Sequence, residues 1–234
     1  MSQRPDRQIS IIIPVLNEAE RLGDSLQSLQ ALRGRGHEII VVDGGSVDGT
    51  IDQIEGRADR VLATSVGRSA QMNAGARVAS GEVLWFLHAD SLVRPDADRR
   101  LLDALSDSDR SWGRFDVAFT GRGAPFRMIA TMMNIRSRLT GIATGDQGIF
   151  VTRRAFLEVD GFPSIALMED IAISRALKRI GRPLCLRQTL VTSSRRWEQT
   201  GVLRTIVLMW SLRLAYALGI DSARLARLYQ RFPG

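Results

Sequence analysis

Short apolar runs alternate with amphipathic stretches over the first 90 residues of the chain. The first run, Ile-Ser-Ile-Ile-Ile-Pro-Val, is rich in β-branched side chains, as the buried strands of parallel sheets are. The predicted strands are 9–15, 38–42, 60–63 and 83–87, and the predicted helices are 19–32, 50–56 and 69–79. This alternation predicts βαβ units in a Rossmann-like α/β domain, with a mostly parallel sheet flanked by helices.

The pattern is less regular after residue 90. It predicts helices at 95–105, 127–139 and 170–180, and strands at 112–119, 145–151 and 184–191. The most apolar stretch, 202–220, contains Arg204 and Arg213, and each charge would cost about 2.5–3.5 kcal/mol at the centre of a bilayer. We therefore expect no membrane span there. Since no linker is visible, we predict one domain over 1–200 with a C-terminal helical appendage over 201–234.

Polar clusters follow three of the predicted strands, at residues 17–18, 43–48 and 88–90. Ligands of open α/β sheets bind beyond the carboxyl ends of the strands, so these clusters predict one shared crevice. Asp90 is a candidate ligand for Mg²⁺ or Mn²⁺, whose other ligands would be diphosphate oxygens. The alternative is an ordinary loop aspartate that caps the following turn.

The glycine-rich segment 43–50 allows close approach of the backbone to a ligand, and Asp43 or Asp48 could accept hydrogen bonds from a base or ribose. A plain turn is the alternative. The spacing differs from that of a phosphate-binding P-loop or a dinucleotide fingerprint, which argues against those classes. His88 could contact ribose or metal, or pack at the strand end. Arg68, just before a predicted helix, is a candidate for phosphate contact.

Three later segments are further candidates. Glu169 and Asp170 open a predicted helix, where acidic residues cap the N-terminus, but a carboxylate there could equally act as a general base. Residues 145–148, with Asp146 and Gln147, could close over a diphosphate or an acceptor, or form a turn. The run Arg195-Arg196-Trp197 joins phosphate-binding guanidinium groups to a stacking surface; the alternative is a basic surface patch with a core tryptophan.

The composition of the chain indicates which classes of binding partner to expect. The formal net charge is +7, and all basic residues except Lys178 are arginines, which favours anionic partners such as nucleotide diphosphates, lipid phosphates or anionic membrane. No nucleic-acid-binding module is recognisable, so we expect no nucleic acid partner. The single cysteine, Cys185, excludes an intramolecular disulfide, and residues 1–8 lack the apolar core of a signal peptide. Both features favour a cytoplasmic protein.

Taken together, the motifs resemble those of the family-2 glycosyltransferases of the GT-A fold. The resemblance runs from about residue 9 to residue 197 through Asn17-Glu18, Asp43 to Thr50, Arg68 with Asn73-Ala-Gly75, His88-Ala-Asp90, Glu169-Asp170 and Arg196-Trp197. The segments 88–90, 145–148 and 194–198 look most like the radical-SAM/selenodomain-associated transferase subgroup. One position departs from the family pattern: His88 replaces the first acid of the acid-x-acid motif.

The resemblance implies a nucleotide-diphosphate-sugar donor, a divalent metal and inversion at the anomeric carbon. It assigns the nucleoside to Glu18, Asp43 and Asp48, the metal to Asp90, and the general base role to Asp170. Arg195, Arg196 and Trp197 would close on diphosphate or acceptor. The rivals are a nucleotidyltransferase, which would release pyrophosphate, and a non-catalytic sugar-nucleotide-binding domain.

Two apolar helices suggest the nature of the acceptor. Leu203, Val207, Trp210 and Leu214 form a stripe at helical spacing, while the opposite side of that helix is apolar too. One side could pack on the domain and the other meet a membrane, an acceptor lipid or a second subunit; burial on both sides is the alternative. The segment 126–139 mixes methionines with arginines, as interfacial helices do. We predict a lipidic acceptor and peripheral contact with the inner face of the membrane, with a homodimer as the other option.

Overall fold

The computed structural model describes residues 8–231, which form an α/β fold. Its strands are β1 (Ile9–Val15), β2 (Glu38–Asp43), β3 (Arg60–Ala63), β4 (Val83–Phe86), β5 (Trp112–Phe119), β6 (Phe150–Thr152) and β7 (Leu184–Thr192). Its helices are α1 (Ala19–Arg33), α2 (Arg68–Val78), α3 (Ala97–Ser106), α4 (Ala124–Thr140), α5 (Arg153–Glu158), α6 (Glu169–Ile180), α7 (Arg195–Thr200), α8 (Val202–Ala217) and α9 (Ser222–Gln230). Two 3-10 turns lie at Ile51–Gln53 and Gly145–Gln147.

The strands form one sheet in the order β3-β2-β1-β4-β6-β5-β7. Strand β6 pairs antiparallel with both β4 and β5, while the other pairings are parallel. The predicted mostly parallel sheet flanked by helices is therefore confirmed. Every residue of β1, β2 and β4 is buried, as the continuous apolar runs predicted for strands covered on both faces.

Successive residues of β1 point to opposite faces of the sheet and enter two different cores. Ile11 and Ile13 pack with Leu26 and other residues of α1 and α3 on one face. Ile12 packs with residues of α2, α5 and α6 on the other face. Each buried Leu or Ile side chain contributes roughly 1.5–3 kcal/mol through removal of apolar surface from water.

Helix α2 lies unusually close to the sheet. A Cβ added at Gly75 would lie 2.5 Å from Cγ2 of Ile12, so only a glycine fits at this contact. The close packing fixes the N-terminus of α2, with Arg68, near the carboxyl ends of β1 and β4.

Several boundaries and elements differ from those the sequence suggested. The predicted strand at 145–151 is reduced to β6, because Gly148 adopts a left-handed conformation (φ 57°) and residues 145–147 turn instead. Helices α5 and α7 were not expected. Both have only six residues, so they offer too little periodicity to detect.

The C-terminal appendage consists of two helices rather than one. Chain reversal at Gly219 (φ 85°) separates α8 from α9. Leu212 and Leu225 are buried with Met168 and Ile171 at the start of α6, so the appendage covers that end of the domain. The division at residue 200 stays a prediction. Among the described residues, no helix is both long enough and apolar enough to cross a bilayer.

Candidate functional site

Asn17 joins the loop after β1 to the loop after β2. Its backbone N–H donates to Oγ of Ser46 at 2.9 Å, and its Oδ1 accepts the N–H of Val47 at 2.9 Å. Its φ of 54° lies in the left-handed region, which asparagine enters more readily than most residues. Asn17 therefore both turns the chain and holds the glycine-rich loop in place.

Thr50 and Asp48 organise the start of α1. The N–H of Glu18 donates to Oγ1 of Thr50 at 2.8 Å, and the N–H of Ala19 donates to Oδ2 of Asp48 at 3.2 Å. These hydrogen bonds satisfy donors that a helix N-terminus otherwise leaves unpaired. The Thr50 hydroxyl also donates to Asp48, and this bond is the main cause that lowers the pKa of Asp48. The side chain of Glu18 pairs with Arg21 at 2.9 Å.

Asp43 ends β2, and its carboxylate shapes the loop that follows. It accepts the N–H groups of Gly45 at 2.9 Å and Ser46 at 3.1 Å, as well as the Ser46 hydroxyl. Each carboxylate oxygen has more than one acceptor position, so this role leaves capacity for a ligand hydroxyl. The structure thus brings Glu18, Asp43 and Asp48 together in two interlocked loops.

His88 faces a different neighbour, the 3-10 turn that contains Asp146. Its Nδ1 lies 3.1 Å from Oδ1 of Asp146. Its Nε2 lies against Gly145, where an added Cβ would come within 2.1 Å. Burial and the charge of Arg68 disfavour the imidazolium, but the hydrogen bond to Asp146 and the nearby Asp90 outweigh them, so the pKa of His88 is raised. His88 therefore positions this turn.

Gln147 and Asp170 hold the same turn from the other side. Gln147 is fully buried and forms a capping box with Thr144. Oδ2 of Asp170 accepts the N–H of Gly145 at 3.2 Å, while its Oδ1 accepts the N–H of Ile171 at 2.7 Å. The turn thus connects the end of β4 to the start of α6.

Glu169 is a buried carboxylate whose charge is only weakly offset by neighbouring cations. It is 6% exposed, and its nearest cationic partner is Arg68, whose Nη1 lies 3.9 Å away. Burial and the adjacent charge of Asp170 raise the pKa of Glu169, against the smaller opposing effect of Arg68. Arg68, with a half-exposed side chain, is therefore free to reach a phosphate while it stays near Glu169.

Asp90 lies between the ends of β4 and β7. It accepts the hydroxyl of Thr192 at 3.2 Å and the N–H of Ser193 at 3.3 Å, both long contacts that a stronger ligand could replace. No group of three or more potential metal ligands occurs within residues 8–231. This donor set fits Mg²⁺ or Mn²⁺ held by one carboxylate and completed by substrate phosphates, rather than a cage made by protein alone.

The segment after β7 forms α7, where two of the three predicted side chains have aromatic partners. The guanidinium carbon of Arg196 lies 3.9 Å from the ring centre of Tyr229, in α9. Trp197 meets Phe119 edge to face, with ring centres 5.7 Å apart. Arg195 is exposed. The appendage therefore helps to position Arg196, a contact that sequence reasoning missed.

Helix α2 connects the two groups of candidate residues. Nε2 of Gln71 donates to the carbonyls of Val15 and Val42, both at 2.8 Å, while Arg68 from the same helix approaches Glu169. A cleft beside α2 is lined in part by His88, Gly145, Glu169 and Asp170, and its lining includes neither Asp43 nor Asp90. The candidates thus share one edge of the sheet. With strands about 4.8 Å apart, β2 and β4 end roughly 10 Å from each other.

Two arginines near Asp170 were not among the predicted site residues. Arg136, in α4, feels the charges of Asp170 and of Arg213, and Arg213, in α8, also acts on Asp146. Little in the sequence distinguishes them, since arginine is abundant in this chain and both lie in apolar helices. An arginine inside an otherwise apolar helix was the available clue.

Comparisons with known proteins identify the family. The profile of glycosyl transferase family 2 matches residues 10–160, more than half of the chain. The chain belongs to glycosyl transferase family 2. This family assignment agrees with the order of motifs along β1 to β4 and with the sheet that carries them.

Curated relatives share part of this sequence. An uncharacterized glycosyltransferase of Mycobacterium tuberculosis is 36% identical over 104 residues, which cover 42% of this chain and 40% of the relative. An undecaprenyl-phosphate 4-deoxy-4-formamido-L-arabinose transferase of Klebsiella pneumoniae is 29% identical over 161 residues, 62% of this chain and 47% of the relative. The chain thus spans less than half the length of either relative.

Solved structures of other proteins share the fold. Staphylococcus aureus TarS 1–349 in complex with UDP-GlcNAc superposes with a TM-score of 0.65 at 18% identity, over 80% of this chain and 58% of that one. The mannosyltransferase PcManGT from Pyrobaculum calidifontis, in complex with GDP-Man and Mn²⁺, gives 0.62 at 20% identity, over 79% and 56%. At these identities the likeness establishes the GT-A architecture alone.

Proposed function

We propose that the protein transfers a sugar from a nucleoside-diphosphate sugar to an acceptor hydroxyl, with inversion at the anomeric carbon. The observation that carries this proposal is the arrangement at one sheet edge. There the turn 145–147 joins His88 to Asp170, and Arg68 approaches Glu169 beside them. Family membership supports the reaction class. The motifs at 88–90, 145–148 and 194–198 support the narrower radical-SAM/selenodomain-associated subgroup.

The donor would lie across the ends of β1, β2 and β4. Glu18, Asp43 and Asp48 would hold the nucleoside, with His88 beside the ribose. Arg68 would meet the diphosphate, and Asp90 is the carboxylate that would hold a divalent metal. That metal would offset charge on the leaving diphosphate. The complexes of structural neighbours with UDP-GlcNAc, or with GDP-Man and Mn²⁺, support this class of donor and metal.

Asp170 would act as the general base, accepting the proton of the acceptor hydroxyl as that oxygen attacks the anomeric carbon. Its hydrogen bonds from two backbone N–H groups fix the carboxylate at the N-terminus of α6. The neighbouring Glu169, together with Asp146 and Gln147, would line the acceptor side. Arg195, Arg196 and Trp197 would close over diphosphate or acceptor.

Exposed apolar side chains on two helices support a lipidic acceptor. On α8, Leu203, Val207, Trp210 and Leu214 are 77%, 64%, 63% and 63% exposed. On α4, Met128, Met132, Ile135 and Leu139 form a second exposed stripe. Large exposed apolar patches mark interaction sites, and a net charge of +7 suits an anionic bilayer. We therefore propose peripheral binding at the inner face of the membrane, which the named substrate of the Klebsiella relative also favours.

The reaction class can be tested with the purified full chain. A thermal-shift panel of sugar nucleotides with and without Mn²⁺ should identify a donor, because a ligand of the native state raises the melting temperature by mass action. Turnover should then release a nucleoside diphosphate. Release of pyrophosphate would instead establish a nucleotidyltransferase, and donor binding without any turnover would establish a non-catalytic sugar-nucleotide-binding domain.

The membrane proposal has a separate test. Wild-type protein should co-sediment with anionic liposomes, and Val207→Ser with Trp210→Ser should weaken that binding. These variants are preferable to truncation after Thr200, because truncation would expose Met168 and Ile171. If the variants leave liposome binding unchanged but dissociate a dimer, the α8 stripe is a subunit interface.

A further inference from the structure

Arg136 is a partly buried cation, and two of its guanidinium nitrogens lack a partner. Its Nε and Nη2 are shielded from solvent and have no hydrogen-bond acceptor, and within residues 8–231 no carboxylate forms a salt bridge with it. Buried polar groups in native proteins are hydrogen-bonded in the great majority of cases. An unpaired guanidinium is therefore an exception that calls for an anion from outside the chain.

The surroundings of Arg136 are net positive. Burial and the charges of Arg213 and Arg114 lower the pKa of Arg136 to about 10, and Asp170 offsets only part of this effect. Arg213 is half-buried and has no salt bridge within the described part of the chain. Asp170 accepts two backbone N–H groups, and within residues 8–231 it forms no salt bridge with either arginine.

The neighbouring Arg114 shows what a satisfied guanidinium looks like in the same region. Although fully buried, it donates to Ser137 Oγ at 3.0 Å and to the Asn134 carbonyl at 3.0 Å, and it pairs closely with Asp116. Arg136, one residue from Ser137 along α4, has none of these partners. The lack of hydrogen-bond partners is thus specific to Arg136 and does not extend to Arg114 in the same region.

We propose that Arg136 and Arg213 form an oxyanion subsite beside Asp170, which binds a phosphate group carried by the acceptor. A phosphate can take hydrogen bonds from two planar guanidinium groups at once, and it supplies the negative charge that this site lacks. The inference rests on the proposed function only in assigning the phosphate to the acceptor. The phosphate could belong to a lipid headgroup or to a soluble phosphorylated acceptor.

The binding test uses inorganic phosphate as the probe. Full-length protein is first saturated with UDP and Mn²⁺, which occupy the donor site, and phosphate is then titrated against chloride at constant ionic strength. Arg136→Gln or Arg213→Gln should weaken phosphate binding by about tenfold or more through loss of a charge-assisted hydrogen bond. Arg127→Gln, the same change at an exposed position of α4, is the matched control and should leave the affinity unchanged.

Folding is checked by circular dichroism and by UDP affinity, which the variants should retain. If Arg136→Gln does not fold, Arg136→Lys keeps the charge without the planar fork and should still weaken phosphate binding by severalfold. Equal phosphate affinity in wild type and in the folded Arg136 and Arg213 variants would overturn the proposal. Failure of UDP to bind would count against the proposed donor, whereas a phosphate site sensitive to Arg136 would stand.

A second arm distinguishes the two sources of phosphate. Vesicles with phosphatidic acid expose a phosphate monoester, and they are compared with phosphatidylglycerol vesicles of equal surface charge. A preference for phosphatidic acid that Arg136→Gln abolishes supports a lipid headgroup. If Arg136→Gln weakens the binding of free phosphate but the protein shows no preference between the two kinds of vesicle, the result supports a soluble phosphorylated acceptor.

Discussion

Two regions carry charged residues at the same edge of the sheet: the loops after β1 and β2, and the residues of α4, α6 and α8. They differ in how completely those charged side chains are paired within the chain. In the loops, Asp43 and Asp48 accept several short hydrogen bonds from the chain itself. In the second region, Glu169 meets Arg68 only at 3.9 Å, and Nε and Nη2 of Arg136 have no hydrogen-bond partner. In the first region the carboxylates are paired by the chain itself, whereas in the second Glu169 and Arg136 lack a close partner of opposite charge within residues 8–231.

The largest effect should come from the ligand-dependent side. Asp170→Asn removes the proposed base, and general base catalysis typically contributes about 10²–10⁴-fold in rate, so turnover should fall by that factor. Donor affinity should stay nearly unchanged, because the donor would contact other residues. Steady-state kinetics and nucleotide titration measure the two quantities. Asp103→Asn, on the exposed side of α3, is the matched control; unchanged turnover in Asp170→Asn would refute the assigned role.

The next largest effect concerns how much the hydrogen bonds within the two loops contribute to the stability of the fold. Thr50→Val keeps the shape of this fully buried side chain but removes the acceptor for the Glu18 N–H and the donor to Asp48. Leaving a buried donor unpaired costs about 1–3 kcal/mol in the free energy of unfolding. Urea denaturation checks this value. Thr131→Val removes a hydroxyl from an exposed position of α4 and should change stability by less than about 0.5 kcal/mol.

A smaller effect should depend on pH at the turn between the two regions. The pKa of His88 is raised in the folded protein, in part by its bond to Asp146, so the pair stabilises the fold below the unfolded pKa of about 6.5. This contribution is lost as the pH rises through the folded value. Because both side chains are partly exposed, it should be at most about 1 kcal/mol.

The measurement compares wild type with Asp146→Asn across pH 5 to 9 by thermal denaturation. The difference in melting temperature should be largest at the acidic end and shrink above neutrality. A difference that stays constant over this range, or grows with pH, would contradict the assigned protonation of His88.

The smallest effect on stability should come from the exposed stripe of α8. Trp210→Ser removes a side chain that is 63% exposed, so the free energy of unfolding should change by less than about 0.5 kcal/mol in solution. Leu212→Ala, two residues away and fully buried, should cost about 2–5 kcal/mol. Urea denaturation of the two variants tests whether α8 has one packed side and one side that meets solvent.

Much of the fold was predictable because its signals are local. β1, β2 and β4 carry apolar runs that only a sheet covered on both faces can bury, and α1 repeats leucines at helical spacing. Weak periodicity explains the misses: α5 and α7 are too short to show a repeat. The antiparallel insertion of β6 between β4 and β5 has no local signature, since strand order depends on long-range pairing.

For the candidate site, the sequence indicated which residues carry chemistry but not how they pair. It predicted an acid at 170 and left residues 145–148 as either a segment that closes over a ligand or a turn, while the bond between Asp170 and the Gly145 backbone depends on how α6 docks against the sheet. The choice between burial and exposure of α8 was also left open. The structure resolves it, because Leu212 is buried and Trp210 is exposed on the same helix.

The sequence by itself determined the α/β class, the strands that end in polar clusters and the family-2 motifs, because residue spacing along one segment sets these properties. Tertiary structure alone decided that His88 pairs with Asp146, that Tyr229 holds Arg196, and that Arg136 is left without an anion. The members of each pair are far apart in the chain, and only the tertiary packing brings them within reach of one another. Electrostatic interactions fall off with distance in space, whatever the separation in sequence.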